Sequence, residues 1–158
     1  MAEIDTAWLA IVDRIVASHA DQPGALLPIL HAVQKELGHV PAGVVGRIAD
    51  GLNLSRAEVH GVISFYHYFR TRPPGRHVVQ LCRAEACQAW KGEATEAHAK
   101  QCLGVDYHGT SADGAFTLKE AECLGACGDA PVLLCNNKRM ACGMTPDKLD
   151  QLISDLGK

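Results

Sequence analysis

HVVQLCRAEAC (His77–Cys87) is the stretch that decides how this chain folds. Its first five residues, His77–Leu81, form a short apolar run that reads as a buried strand. Cys82 stands where the run gives way to a loop, and Cys87 follows in a C-x₄-C spacing. The arrangement recurs downstream. Phe116-Thr-Leu118 starts a second strand that runs toward Cys123, and Cys123 and Cys127 form a C-x₃-C pair (CLGAC). If the two strands are neighbours in one sheet, both loops leave at the same edge and four thiols converge on one point.

The rest of the second half fits around these strands. Glu93–Cys102 is rich in helix formers. Pro131–Cys135 and Lys138–Cys142 flank Asn136-Asn137, which predicts two strands joined by a two-residue hairpin turn. Pro131 is tolerable as the first residue of its strand. Thr145-Pro146 caps a final helix bearing Leu149, Leu152, Ile153 and Leu156. The predicted order is β-α-β-β-β-α.

The first half is helical in pattern. Ile4, Trp8, Ile11 and Ile15 recur on one helix face, and Leu26, Leu30, Val33 and Leu37 on another. Pro28 requires that second helix to begin near Ala25, and Gly38 stops it. Pro41 opens a third helix, with Val44, Val45, Ile48 and Leu52 on one side. Ser55 and Glu58 form an S-x-x-E capping box for a fourth, whose stripe is Val59, Val62, Ile63 and Tyr66. The prolines and glycine of Thr71–Gly75 cannot continue a helix. The predicted organisation is therefore α/β: a helical bundle over residues 1–72 and a mixed domain over 73–158.

Bulk composition narrows the function. With 158 residues, a net charge of −3 and no basic run, the chain does not read as a nucleic-acid binder. No stretch approaches the roughly 20 apolar residues of a membrane span. Ala7–Val12 is interrupted by Asp13 and Arg14 and preceded by Glu3 and Asp5, so it does not read as a signal peptide. A cytoplasmic location is expected. Seven cysteines are then many. In a reducing compartment they point to metal or redox chemistry before disulfides.

Four convergent thiolates are what a [2Fe–2S] cluster needs, two per iron. Zinc also takes sulfur ligands, and C-x₂₋₄-C knuckles are common in structural zinc sites. Spacing alone thus leaves a zinc-binding assembly module open. A thiol–disulfide enzyme is disfavoured by the absence of C-x₂-C. Gly125 and Gly128 let the backbone bend around a cofactor. Arg83 either offsets the thiolate charge or is solvated, and Glu85 is expected at the surface. Cys102, Cys135 and Cys142 are expected to be packing residues. Cys135 and Cys142 would face each other across the hairpin, though a disulfide is not expected there. His60 and His67 would share a face of the fourth helix with no third metal ligand nearby, which favours packing or a subunit contact. Trp8, Trp90, Tyr66, Tyr68 and Phe69 are read as packing or interface residues. No HExxH, P-loop or GxGxxG is present, so the chain shows no nucleotide site of its own.

The motif C-x₄-C followed by C-x₃-C, with ECLGACGDAP (Glu122–Pro131), resembles the thioredoxin-like [2Fe–2S] subunits, the 24-kDa-type subunit of NADH:quinone oxidoreductase and its relatives. GVISFYHYF (Gly61–Phe69) resembles the helical portion of that family. Within it, Cys82–Gln88 and Ala57–His67 look most like the gamma subunit of NAD-dependent molybdenum formate dehydrogenase, with NAD-reducing hydrogenases close behind. The resemblance implies a helical bundle followed by a thioredoxin-like domain. It implies one cluster on Cys82, Cys87, Cys123 and Cys127 that passes single electrons, with no substrate chemistry on this chain. FMN, NAD and the molybdenum cofactor would belong to partners, an FMN/NAD-binding subunit and a larger catalytic subunit. A stand-alone ferredoxin is disfavoured by the helical half.

Overall fold

A computed structural model describes residues 6–19 and 21–157. The chain divides into two compact units, Met1–Pro73 and Pro74–Lys158. Together they give the mixed helical and sheet architecture expected from the sequence.

The first unit holds helices α1 (Thr6–His19), α2 (Leu26–Leu37), α3 (Val45–Leu52) and α4 (Arg56–Phe65). On α1 the buried residues are Val12, Ile15 and Val16, with Trp8 and Ile11 half-buried. The expected stripe is thus displaced toward Val12 and Val16, and Ile4 lies outside the described residues. The cause is packing: α1 lies against both α2 and α3, and two neighbours cover a wider arc than one. Helix α2 begins after Ala25, carries Pro28 in its first turn where no N–H is needed, and stops at Gly38 with φ +78°.

Two expectations shift in the next segment. Pro41 heads a 3₁₀ turn, Ala42–Val44, closed by a bond from Val44 N–H to Pro41 O (3.1 Å), and α3 starts only at Val45. The capping box of α4 is complete: Ser55 Oγ accepts from Glu58 N–H at 3.2 Å, and Glu58 Oε2 accepts from Ser55 N–H at 2.8 Å. Yet α4 ends at Phe65, so Tyr66 and His67 lie beyond it, and His60 and His67 do not share a helix face. The chain instead turns back to Phe69, which enters the core. Buried Gln34 holds the turn. Its Nε2 donates to Tyr68 O (3.0 Å), its Oε1 accepts from Arg70 N–H (2.7 Å), and Arg70 O accepts from Val40 N–H (2.7 Å). The polar side chain is satisfied, as burial demands.

The second unit contains β1 (His77–Cys82), α5 (Glu85–Ala89), α6 (Gly92–Leu103), β2 (Phe116–Ala121), β3 (Leu133–Cys135), β4 (Arg139–Ala141) and α7 (Pro146–Leu156). The predicted order lacked α5, whose five residues are too few for a helical period to show. The sheet order is β2-β1-β3-β4, with β1 and β2 parallel and the other pairs antiparallel. Register sets Val79 beside Leu118 and Leu81 beside Leu133. Those four share a core with Ala99 and Leu103 of α6 and Leu149 and Leu152 of α7. The helices therefore cover one sheet face, and burial of this face is the main stabilising term of the unit. Asn136 and Asn137 both adopt left-handed φ near +55°, and Lys138 N–H closes the turn on Cys135 O at 3.0 Å. The ladder pairs Cys135 with Arg139, so Lys138 is one residue more than the expected two-residue connection.

Candidate metal centre

The site follows from strand direction. Because β1 and β2 are parallel neighbours, both end at one edge of the sheet, and register pairs Cys82 with Ala121. Arg83 N–H extends the ladder to Ala121 O (2.8 Å), and Cys82 N–H bonds Val132 O (3.0 Å). Cys123 lies two residues beyond the end of β2. Helix α5 carries Cys87 back toward Cys82, and Cys127 opens a 3₁₀ turn, Cys127–Asp129. The Cys82 thiol lies near enough to those of Cys87 and Cys123 for each to bias its proton, its Sγ donates toward Glu122 O at 3.8 Å, and Cys127 Sγ stands 3.7 Å from Cys123 Sγ. The structure thus brings together the four cysteines singled out in the sequence.

The pairs differ in environment. Cys82 and Cys87 are 6% and 1% exposed, packed with Val132 and flanked by Ala84, Leu124, Ala126 and Ala130. Cys123 and Cys127 face solvent. Burial pushes the Cys82 thiol up, but hydrogen bonds from the Ala84 and Leu124 backbone and from the Cys87 and Cys123 thiols outweigh it, and the thiol sits below its ordinary value. Cys87 is pushed up by burial and by the adjacent Cys82, against a Val132 backbone donor. Cys127 is raised chiefly by its hydrogen bond with Cys123. Crowding by neighbouring sulfurs thus opposes loss of the Cys87 and Cys127 protons, and a bound cation would remove that opposition. Gly125, at φ +80°, turns its N–H to Cys123 Sγ at 3.4 Å.

The donor set fits a [2Fe–2S] cluster: four sulfurs, backbone N–H groups aimed at them, and an apolar wall on the inner side. All seven cysteines are free.

Other residues depart from expectation. Arg83 does not turn to the sulfurs: Nε pairs with Glu96 Oε2 at 3.1 Å and the guanidinium lies over the Tyr107 ring. Gly128 sits in the 3₁₀ turn without positive φ, and a Cβ there would meet no protein atom within 4 Å, so the backbone itself does not call for glycine at this position. Glu85 is exposed in the first turn of α5, as expected. Cys135 is a core residue, whereas Cys102 and Cys142 are exposed and are not packing residues. Cys135 pairs with Arg139, which leaves Cys142 outside the ladder and not opposite it. Trp8 packs edge-on to His39, while Trp90, Tyr66 and Tyr68 are exposed. The donors from Ala84, Leu124 and Val132 were not legible in the sequence because any residue supplies a backbone N–H; only Gly125 signalled a tight turn.

Comparison with known proteins identifies the family. Residues 12–157 match the family described as thioredoxin-like [2Fe–2S] ferredoxin. An NADH-quinone oxidoreductase subunit of Rhizobium meliloti is 39% identical over 122 residues, 77% of this chain and 73% of that protein. The corresponding NADH-quinone oxidoreductase subunit of Mycobacterium tuberculosis is 37% identical over 143 residues, 90% of this chain but 56% of that protein. A subunit of the NADP-reducing hydrogenase of Solidesulfovibrio fructosivorans is 30% identical over 91% of this chain and 84% of its own length. In fold, the chain resembles part of a crystal structure of an NAD⁺-reducing [NiFe]-hydrogenase, with TM-score 0.71 and 23% identity, covering 84% of this chain and 22% of that one. The chain belongs to the thioredoxin-like [2Fe–2S] ferredoxin family.

Proposed function

We propose that this family member is an electron-transfer subunit of a multi-subunit NAD-linked oxidoreductase, holding one [2Fe–2S] cluster on Cys82, Cys87, Cys123 and Cys127. The observation that carries the reading is the convergence of those four sulfurs at the shared edge of β1 and β2. When bound, such a cluster takes up and gives back one electron at a time. The chain's residues do the rest. The four thiolates would hold the irons, and the N–H groups of Ala84, Leu124, Gly125 and Val132 would stabilise negative charge on sulfur and so favour the reduced state. The wall around Cys82 and Cys87 keeps water from the inner side, while exposed Cys123 and Cys127 mark the side open to a redox partner.

For the host, relatives named as subunits of NADH-quinone oxidoreductases and of a hydrogenase support those two complexes ahead of formate dehydrogenase. The formate dehydrogenase reading rests on the resemblance of Cys82–Gln88 and Ala57–His67 alone. We assign FMN and NAD to a neighbouring subunit and substrate chemistry to a larger one. We take residues 1–72 and 73–158 as separate domains. We place the chain in the cytoplasm on its seven cysteines, which in two close pairs suit metal chemistry in a reducing compartment. No helix among the described residues is long and apolar enough to cross a membrane.

Anaerobically purified protein should be brown, carry about two irons and two acid-labile sulfides per chain, and give an EPR signal on reduction. Cys123→Ser should alter or abolish that signal. A colourless protein with stoichiometric zinc on these cysteines would overturn the reading. Flavin, nickel and molybdenum contents of the co-purified assembly distinguish the hosts.

A further inference from the structure

A second group of metal-ligating side chains lies apart from the four cysteines, on the two helices that cover the sheet. His98 and Cys102 are four residues apart on α6 and so project from one face. Asp150 approaches from α7, which packs on α6. The ligand atoms of the three all lie within 4.8 Å of one another. His98 Nε2 is already oriented, 2.7 Å from Asp150 Oδ1. We propose that His98, Cys102 and Asp150 form a zinc-binding site that clips α6 to α7.

The chemistry selects the ion. One thiolate, one imidazole and one carboxylate suit zinc, whereas magnesium and calcium want oxygen ligands throughout. Three protein ligands leave the fourth tetrahedral position to water, and the partial exposure of this face admits one. Zinc bond lengths near 2.0–2.3 Å set tetrahedral ligand atoms about 3.3–3.6 Å apart. The His98–Asp150 pair must therefore open by roughly 0.6–0.9 Å and the thiol draw in by up to about 1.5 Å, shifts within the reach of side-chain rotation. The Cys102 proton leaves to solvent as the zinc–sulfur bond forms. Without an ion, the thiol donates weakly to Ala99 O (3.5 Å), and burial together with the Asp150 charge keeps it protonated above its ordinary value. A divalent cation relieves that juxtaposition. The plain alternative is a surface imidazole–carboxylate pair with a bystander thiol.

The test uses holoprotein with its cluster assembled, so that added zinc does not enter the four-cysteine site. Zinc chloride is added in metal-free buffer, and alkylation of Cys102 by iodoacetamide is followed by peptide mass spectrometry. Exposed Cys142 serves as the internal reference. Zinc should slow Cys102 alkylation by at least about tenfold and leave Cys142 unchanged, and Asp150→Asn and His98→Gln should each remove most of that protection. Both substitutions are at partly exposed sites, so folding is retained and is checked by circular dichroism. Equal Cys102 alkylation with and without zinc would overturn the proposal. So would protection that persists in both variants. The readout is the Cys102 peptide alone, so a failure here is distinguishable from a failure of the four-cysteine reading.

Discussion

Replacing Gly92 by alanine probes the link between helix packing and the metal centre. Gly92 is the first residue of α6 and is buried. A Cβ there would stand 2.6 Å from Cys87 O and 3.0 Å from Cys87 C, both backbone atoms. Ordinary carbon–oxygen contact is near 3.3 Å, so α5 and α6 must part by roughly 0.7 Å. Overpacking of this kind costs about 1–3 kcal/mol. The better helix propensity of alanine returns at most about 1 kcal/mol, and less at a first helical position. Setting that gain at about 0.5 kcal/mol leaves a net cost of about 0.5–2.5 kcal/mol, and with a slope of about 2 kcal/mol per molar urea the unfolding midpoint should fall by roughly 0.3–1.3 M. The strained atoms belong to the residue that supplies a proposed ligand, so iron per chain should fall as well. Gly61→Ala is the control. It lies inside α4, and its Cβ would meet nothing within 4 Å. That variant should gain about 0.5–1 kcal/mol and leave iron content unchanged. Far-UV circular dichroism in urea gives the midpoints, and metal analysis gives the iron. A Gly92→Ala protein with wild-type midpoint and iron content would refute the reasoning.

Two further substitutions test other parts of the chain. Ser55→Ala removes one half of the α4 capping box and should cost about 1 kcal/mol, read as a lower urea midpoint at constant slope. Glu96→Gln removes the carboxylate that Arg83 and Lys100 share at 3.1 and 2.9 Å. Burial works against the Glu96 charge, but the bond to Lys100 and the charges of Arg83 and Lys100 hold its carboxyl below the usual range. A group depressed on folding contributes stability above its unfolded value and loses it as pH falls through the folded one. The variant should be about 1 kcal/mol less stable near pH 7, and the gap to wild type should close as the pH drops below about 4. A gap independent of pH would remove Glu96 from that role.

The relation of sequence to structure differs from place to place. The capping box at Ser55 and the stop at Gly38 were legible because their chemistry is local: a side chain and a backbone group three residues away, or one left-handed residue. The end of α4 was not. Val59, Val62, Ile63 and Tyr66 keep a helical period, but Gln34, distant in sequence, captures the backbone of residues 68 and 70 and turns the chain at Tyr66. The stripe on α1 moved for a similar reason, since two neighbours bury more of a helix than one period shows.

The metal centre divides along the same line. Residue types and spacing alone marked Cys82, Cys87, Cys123 and Cys127 as one set, because soft ligands in two close pairs leave few other readings. Tertiary structure decided what lies around them. The parallel pairing of β1 with β2 brings both loops to one edge, α5 buries Cys87, and Arg83 is drawn off to Glu96. It also decided what no spacing could suggest, that Asp150 comes within reach of His98 and Cys102. Local spacing fixes which ligands sit on one turn of a helix or loop. Contacts between elements distant along the chain depend on how the sheet and its helices pack, and no short stretch of residues carries that information.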